Sequence, residues 1–280
     1  MSDITISSDD FERFREFFYR RSGIQFEPAK RYFVDKRLAE RMRVCGCATF
    51  REYFALLRFE SAGREWQALV NEMTVNETYF MREDYQFECL VDGMMPEIVA
   101  ARRPGETIRI WVMPSSSGEE AYTVAMYLLE RWPGIATWDV EIVSSDIDTR
   151  ILAQAEAGLY SARAVQHVPK AWLQKYFTRE GDCWRISEEL RSAVAFTRVN
   201  LNDPAEVAAY RDYDVIFCRN LLIYFDDVSR RAAATSMFNV LRPGGFICLG
   251  HSESMSRMSS LFGIRKFPQA IVYQKPLEGK

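Results

Sequence analysis

The sequence predicts an α/β fold: a doubly wound sheet domain that follows a small all-helical domain and contains a small antiparallel β insert. Residues 9 to 75 show helical periodicity and no strand pattern. After residue 76, short apolar runs alternate with amphipathic stretches, as in a sheet with helices on both faces. Between residues 158 and 200 this alternation breaks. We therefore expect a helical domain at 1–75 and a sheet domain at 76–280, with the insert at about 170–198.

The composition and charge of the chain exclude several classes of protein. The chain has 280 residues and a net charge of −3, which gives no reason to expect nucleic acid as a partner. The start is acidic and polar, and no apolar run is long enough to cross a membrane. Six scattered cysteines and two histidines suit neither a zinc site nor a histidine triad. We expect a cytoplasmic protein with no metal site and no membrane insertion.

Four helices are expected in the first domain. The first begins after Ser8 or Asp9 and ends at Gly23, with phenylalanines 11, 14, 17 and 18 on one face. The second covers about residues 28 to 43, the third starts after Thr49, and the fourth covers about 64 to 73.

The second domain begins with a helix at about residues 84 to 102. Its expected strands are TIRIWVM, VEIVSSD, YDVIFCRN, GGFICLG and IVYQK. The insert is indicated by short runs at residues 176–177, 183–186 and 195–196. Ligands of doubly wound sheets bind at the carboxyl ends of the strands, so the polar residues there are the candidate site.

The loop after the first strand is the first candidate. Small residues 115 to 118 allow a ligand close to the backbone, and Glu119 and Glu120 follow at a helix start. The glycine-rich phosphate loop of dinucleotide-binding proteins is absent. A carboxylate at a helix N-terminus disfavours phosphate and suits a cationic ligand, so a sulfonium cofactor is favoured over a dinucleotide. The alternative is a capped helix with solvent-facing glutamates.

Three further stretches carry polar residues at predicted strand ends or at the domain junction. Asp146, after the second strand, is expected to bind ribose hydroxyls, while a helix cap by Asp148 is the alternative. The junction segment 76–83 contains Asn, Thr and Arg, which are also ordinary linker residues. The segment 218–225 follows a buried strand, where Arg, Asn and Tyr are costly unless they are used; the alternative is a structural network.

Taken in order, the motifs NETYFMRE, SSSGEEAY, SSDIDTRIL…AGLY, VNL, DVIFCRNLLIYF, LRPGG and GHSES resemble the CheR chemotaxis methyltransferase family. The resemblance runs from about residue 11 to residue 273. It implies a Rossmann-like methyltransferase domain that uses S-adenosylmethionine and releases S-adenosylhomocysteine. It also implies that the substrates are glutamate side chains on the cytoplasmic helical bundle of chemoreceptors, which become methyl esters.

The resemblance also implies roles for single residues. Cofactor contacts would fall on Asn76, Thr78, Arg82, Glu120, Asp146, Asn200, Leu201, Arg219 and Asn220. Arg82 and Tyr224 match positions that orient the substrate carboxylate, and we take them as the catalytic residues. The loop at 113–117 departs from the family pattern, and Pro114 lacks the N–H that a backbone contact to the cofactor would need.

The second helix is net positive in an acidic protein. Lys36, Arg37 and Arg41 are expected to dock the acidic receptor helix, whereas a solvated helix face is the alternative. The insert loop at 180–182 is short, so we expect no strong binding of a tethering peptide from the receptor C-terminus.

The predicted chemistry needs no general base, because a glutamate with a pKa of about 4.3 is ionised near neutral pH. Three other functions stay open at this point: a nicotinamide-dependent dehydrogenase, a receptor-binding scaffold without activity, and a small-molecule carboxyl methyltransferase.

Overall fold

The computed structural model describes residues 5–277. The helices of the first domain are α1 Ser8–Ser22, α2 Arg31–Val44, α3 Phe50–Phe59 and α4 Arg64–Met73. Helix α1 is capped by Ser7, which accepts a hydrogen bond from the N–H of Asp10, so the cap is one residue earlier than predicted. Gly23 ends this helix with φ of 73°, a conformation that glycine adopts without strain.

Aromatic residues form the core of the helical domain. Phe14 and Phe18 are buried, and the ring of Phe18 lies 5.2 Å from that of Trp66 in α4. Burial of each such ring contributes about 1.5–3 kcal/mol. This apolar centre lets a domain of four short helices pack around its own core.

The second domain alternates helices and strands. Its helices are α5 Tyr85–Cys89, α6 Met95–Ala100, α7 Glu119–Arg131, α8 Thr149–Ala157, α9 Lys170–Tyr176, α10 Glu188–Ser192, α11 Pro204–Val207 and α12 Asp227–Val240. A π-helical turn, Leu90–Met94, joins α5 to α6, so the predicted helix at 84–102 is one helix with a wide turn inside it. The strands are β1 Ile108–Met113, β2 Val140–Asp146, β3 Leu159–Ser161, β4 Phe177–Glu180, β5 Cys183–Ile186, β6 Val194–Arg198, β7 Tyr213–Cys218, β8 Leu241–Leu249, β9 Gly263–Lys266 and β10 Ile271–Gln274.

Seven strands form the large sheet in the order β6-β2-β1-β7-β8-β10-β9. The first five are parallel, and β10 runs antiparallel to both β8 and β9. The chain extends the sheet on one side of β1 and then crosses to β7 on the other side. The carboxyl ends of β1 and β7 therefore flank the point where the strand order reverses, which is where ligands of doubly wound sheets bind.

The insert differs from the prediction. Strands β3, β5 and β4 form a three-stranded antiparallel sheet, and β3 at Leu159–Ser161 lies before the range that we expected. Ala195 and Phe196 belong to β6, which pairs in parallel with β2 at the edge of the large sheet. The assignment of 195–196 to the insert was wrong, because a short apolar run carries no sign of which sheet it joins.

The two domains touch through side chains and backbone. Asn71 of α4 donates from Nδ2 to Thr149 Oγ1 at 3.0 Å, and Gln67 donates to the carbonyl of Ile147 at 2.8 Å. Asn200 donates to the carbonyl of Arg21 at 2.6 Å. These contacts fix the helical domain against the carboxyl ends of the sheet.

Within residues 5–277, no helix has the length and apolar character needed to span a membrane.

Candidate active site at the domain junction

A cavity of about 540 Å³ lies between the two domains. It is lined by residues from 24–33 of the helical domain, by the junction at 73–82, and by the loops after β1, β2 and β7. A narrower recess of about 40 Å³ shares Asp146 and Leu221 with it. The structure thus brings together the four stretches that the sequence singled out.

Asp146 ends β2 and is buried at the cavity wall. Its Oδ2 accepts the N–H of Ser116 at 2.8 Å, and its Oδ1 accepts the N–H of Asp148 at 3.0 Å. Burial raises the pKa of this carboxyl to about 6, while the backbone donors oppose the shift. Each oxygen keeps a lone pair for a ligand hydroxyl.

Asp148 does have the helix-cap role considered as an alternative, and it also holds the junction. Its Oδ1 accepts the N–H groups of Arg150 and Ile151 at the start of α8. Its Oδ2 accepts the hydroxyl of Thr74 at 2.6 Å and Nδ2 of Asn76 at 3.0 Å. Asn76 is therefore fixed at the cavity wall by an acid from the sheet domain.

The loop after β1 approaches the cavity with its backbone. Ser116 has φ of 48°, a left-handed conformation that costs free energy in a residue with a side chain. The hydroxyls of Ser115 and Ser116 are buried and have no hydrogen-bond partner among the described residues. Buried polar groups are normally paired, so the unpaired hydroxyl of Ser116, which lines the cavity, indicates a ligand site.

Glu119 and Glu120 do not face solvent, so the solvent-facing alternative was wrong. Glu120 pairs with Nη1 of Arg219 at 2.9 Å, and its Oε1 is buried without a partner among the described residues. Burial raises the pKa of Glu120, and the nearby Arg219 opposes that shift. Glu119 accepts the hydroxyl of Ser117 at 2.7 Å. The free Glu120 oxygen is suited to a cationic donor.

Arg219 is fully buried at the centre of this charge cluster. It pairs with Glu120 and, through Nη2, with Glu83 at 3.2 Å. The same Nη2 donates to the carbonyl of Arg82 at 2.6 Å. Arg219 thus ties the cavity floor to the junction segment, and its Nε is buried without a partner among the described residues, so its cofactor contact stays a prediction.

Arg82 and Tyr224 lie at the cavity lining from opposite segments of the chain. Arg82 donates to the carbonyl of Glu77 at 3.1 Å and is half-buried. Its neighbours Met81 and Glu83 both have positive φ, so a strained turn presents it. The side chain of Tyr224 is 38% exposed and partly open to solvent.

The other predicted cofactor residues divide between the two cavities. Thr78 and Asn220 line the larger one, and Asn220 has φ of 58°. Asn200 and Leu201 line the narrow recess. The side chain of Asn200 is engaged by Arg21, so it also serves the domain contact.

The predicted docking residues of α2 differ in their contacts. Arg41 makes a two-pronged pair with the buried Glu65 of α4, at 3.0 and 2.5 Å. Arg37 donates to the carbonyl of Glu72 at 2.6 Å and stacks on Phe33. Arg41 is therefore bonded within the helical domain, and its role in docking stays a prediction. The sequence does not show that Glu65 lies against α2. Of the three predicted residues, Lys36 is the exposed one.

Sequence reasoning missed Glu253, which organises the loop after β7. Its carboxylate accepts the N–H groups of Asn220 and Leu222 at 2.8 Å each, and that of Gly250 at 2.9 Å. Burial raises its pKa, and these backbone donors oppose the shift. Glu253 belongs to the GHSES motif, but the motif itself does not indicate a contact with the loop after β7.

The residues present fit an adenosyl sulfonium ligand. The cavity volume lies within the range of small-molecule sites, which is roughly 300–1,000 Å³. Asp146 offers acceptors for ribose hydroxyls, and Glu120 offers a carboxyl oxygen that has no other partner among the described residues. The described residues contain no group of His, Cys, Asp or Glu arranged to hold a metal ion.

Comparison with known proteins gives the family. The model for the CheR methyltransferase all-alpha domain matches residues 9–74, and that for the CheR methyltransferase SAM binding domain matches residues 76–271. The chain is 52% identical over 281 residues to chemotaxis protein methyltransferase 2 of Vibrio cholerae, covering 100% of this chain and 97% of that protein. It is 35% identical over 267 residues to the chemotaxis protein methyltransferase of Escherichia coli, covering 94% and 90%.

These matches agree with the all-helical first domain and with the sheet domain that follows it. The predicted fold class, family resemblance and cofactor are confirmed. The chain therefore belongs to the CheR methyltransferase family and uses S-adenosylmethionine.

Proposed function

We propose that the protein transfers a methyl group from S-adenosylmethionine to glutamate side chains of chemoreceptors, forming glutamyl methyl esters in the cytoplasm. The observation that carries this is the chemistry of the cavity wall. Arg82 and Tyr224 lie together in its lining, and no histidine or cysteine lines it among the described residues. A glutamate carboxylate, with a pKa of about 4.3, is already ionised at neutral pH and can pair with Arg82, whereas a lysine, with a pKa of about 10.4, would first have to lose a proton.

The cofactor contacts that we propose are based on the polar groups that line the cavity. Asp146 would accept the ribose hydroxyls, and the free oxygen of Glu120 would face the positively charged part of the ligand. Asn200 and Leu201 line the narrow recess and would contact the part of the cofactor that enters it. When bound, S-adenosylmethionine supplies a methyl group that is reactive towards an in-line nucleophile.

Arg82 and Tyr224 would handle the substrate. The Arg82 guanidinium pairs with one carboxylate oxygen, and the Tyr224 hydroxyl donates a hydrogen bond. The second oxygen must stay free, because a fully paired carboxylate is a poor nucleophile. Entry of the glutamate into the cavity would remove water from it and hold it in line, and such positioning would be the main contribution to the rate.

The docking surface is narrower than the sequence suggested. On α2, Tyr32, Lys36 and Arg43 are exposed and lie along one side of the helix. Arg37 and Arg41 turn away from this side to bind carbonyl and carboxylate groups of α4. We propose that Tyr32, Lys36 and Arg43 form the docking stripe for an acidic receptor helix.

The test is incubation of the protein with labelled S-adenosylmethionine and a chemoreceptor cytoplasmic fragment. The fragment should gain label, and a fragment with its exposed glutamates changed to alanine should gain none. Equal labelling of both fragments would contradict a glutamate target. An inactive protein that still binds both cofactor and fragment would instead support the receptor-binding scaffold.

A further inference from the structure

Tyr224 belongs to the segment from Arg219 to Asp226, and hydrogen bonds of its own side chain do not fix its position. The hydroxyl of Tyr224 has no hydrogen-bond partner among the described residues, and the side chain is partly exposed. Its position therefore depends on how the backbone of the segment is held. That backbone is fixed at both ends, by two different domains.

The sheet domain holds the first half. Glu253 accepts the N–H groups of Asn220 and Leu222, as described above. These two bonds fix the turn in which Asn220 has a left-handed conformation. These two bonds do not reach Tyr224 itself, and beyond it the sheet domain contributes the packing of Phe225 in its core and the α12 cap at Asp226.

The helical domain adds hydrogen bonds to the second half, including one at the peptide of Tyr224. The N–H of Gln25 donates to the carbonyl of Tyr224 at 3.0 Å, and Ile24 forms an antiparallel bridge with Phe225. The hydroxyl of Tyr19 in α1 donates to Oδ2 of Asp226 at 2.8 Å. The other oxygen of Asp226 accepts the N–H of Ser229 at 2.8 Å and so caps α12.

We propose that the helical domain positions Tyr224 for methyl transfer and that Tyr19 is the positioning residue. This rests on the proposed role of Tyr224. Tyr19 fixes Asp226, two residues beyond Tyr224, while Gln25 fixes the peptide of Tyr224 itself. A displacement of about 1 Å at a reacting group can cost roughly 100-fold in rate, so a partial loss of this anchor should be measurable. The domain that docks the substrate then also sets the geometry of the site.

Tyr19→Phe is the variant that tests this, because it removes the hydroxyl and keeps the ring. We expect kcat for receptor methylation to fall about fivefold. The Kd for S-adenosylhomocysteine and the KM for the receptor fragment should stay within about twofold, since the remaining contacts of the cavity and of α2 are unchanged.

Thr149→Val is the matched control. It removes a different domain contact, the hydroxyl that accepts from Asn71 Nδ2, and it lies outside the 219–226 segment. We expect this variant to keep the wild-type kcat. A fall in kcat equal to that of Tyr19→Phe would mean that any weakening of the domain contact slows the enzyme, and it would overturn the proposal.

The decisive measurement is kcat in the Tyr224→Phe background. If Tyr19 acts through the Tyr224 hydroxyl, adding Tyr19→Phe there should change kcat less than twofold, because interacting residues are not additive. Multiplied losses, or an unchanged kcat for Tyr19→Phe alone, would overturn the inference and leave the proposed function standing. An unchanged kcat for Tyr224→Phe alone would overturn both the role of Tyr224 and this inference.

Discussion

Helix α2 and the wall of the cavity both concentrate charged side chains, and they differ in what those charges contact. On α2, Arg37 and Arg41 are bonded to groups of α4 inside the helical domain. In the cavity wall, the Glu120 Oε1 and the Ser116 hydroxyl are buried with no partner among the described residues. The first pattern stabilises a domain, and the second leaves polar groups ready for a ligand.

The difference shows which kind of sequence pattern identifies a residue that is free to bind a ligand. A run of basic residues along a helix does not show that their side chains are free to bind a partner protein, because acidic residues far away in the sequence can already pair with them. A polar residue at the carboxyl end of a buried strand is more informative, because the fold itself brings such residues to one place.

The largest effect is expected from breaking the α2 pair. Arg41→Ala leaves Glu65 buried without its cation, so the free energy of unfolding should fall by about 3 kcal/mol. Lys36→Ala is the matched control, because Lys36 is exposed on the same helix. Denaturant titration would measure both. Equal, small losses for the two variants would mean that Arg41 is not structural.

Arg82→Ala tests the cavity side of the comparison. Loss of the pairing group should lower kcat by about 30- to 150-fold, which corresponds to roughly 2–3 kcal/mol. The Kd for S-adenosylhomocysteine must be measured first, because Arg82 lines the cofactor cavity as well. A variant with normal kcat would remove Arg82 from the reaction.

The raised pKa of Asp146 gives a pH test. In the proposed role, Asp146 accepts ribose hydroxyls as an ionised carboxylate, and burial raises its pKa to about 6. The affinity for S-adenosylhomocysteine should therefore be constant above about pH 7 and fall as the pH drops through 6, by up to tenfold per pH unit. At neutral pH, Asp146→Ala should cost roughly tenfold or more in affinity. Calorimetry from pH 7.5 to 5 would measure this, and a flat wild-type profile would exclude Asp146.

Asp146→Asn is the matched control for the pH profile. It keeps the shape of the side chain but has no titrating carboxyl, so its affinity should be weak and independent of pH over the same range. A profile that still falls near pH 6 would assign the titration to another group.

The smallest effect concerns the docking stripe. Lys36→Glu should raise the KM for the receptor fragment about threefold at low salt, because exposed charge pairs contribute less than about 1 kcal/mol. The effect should shrink with added salt, since screening acts over about 10 Å at 0.1 M. Steady-state kinetics at two salt concentrations would measure it. A KM that changes neither with the substitution nor with the salt concentration would argue against electrostatic docking.

The sequence predicted the parts of the site that the fold assembles from local patterns. Asp146 follows a buried strand and Arg219 follows another, so parallel pairing brings both to one edge of the sheet. The strand β6 was misplaced because its apolar residues suit either sheet. The sheet that β6 joins is decided by its pairing with β2, whose partner residues lie 52 positions earlier in the chain.

Long-range partners explain the remaining differences. Arg41 looked free because Glu65 lies 24 residues away, and Glu253 was missed because it contacts a loop more than 30 residues earlier. Neither pair has a local spacing rule, unlike the capping box that starts α3 at Thr49. Such contacts follow from packing and are seen only once the domains are folded.

The most direct test of the account is the chemical stability of the label on the receptor fragment. A glutamyl methyl ester releases methanol in mild alkali, whereas a methylated amine keeps its methyl group. Alkali should release the label as methanol from fragment treated with the wild-type protein. Label that survives alkali on the fragment would contradict the ester product and, with it, the roles of Arg82 and Tyr224.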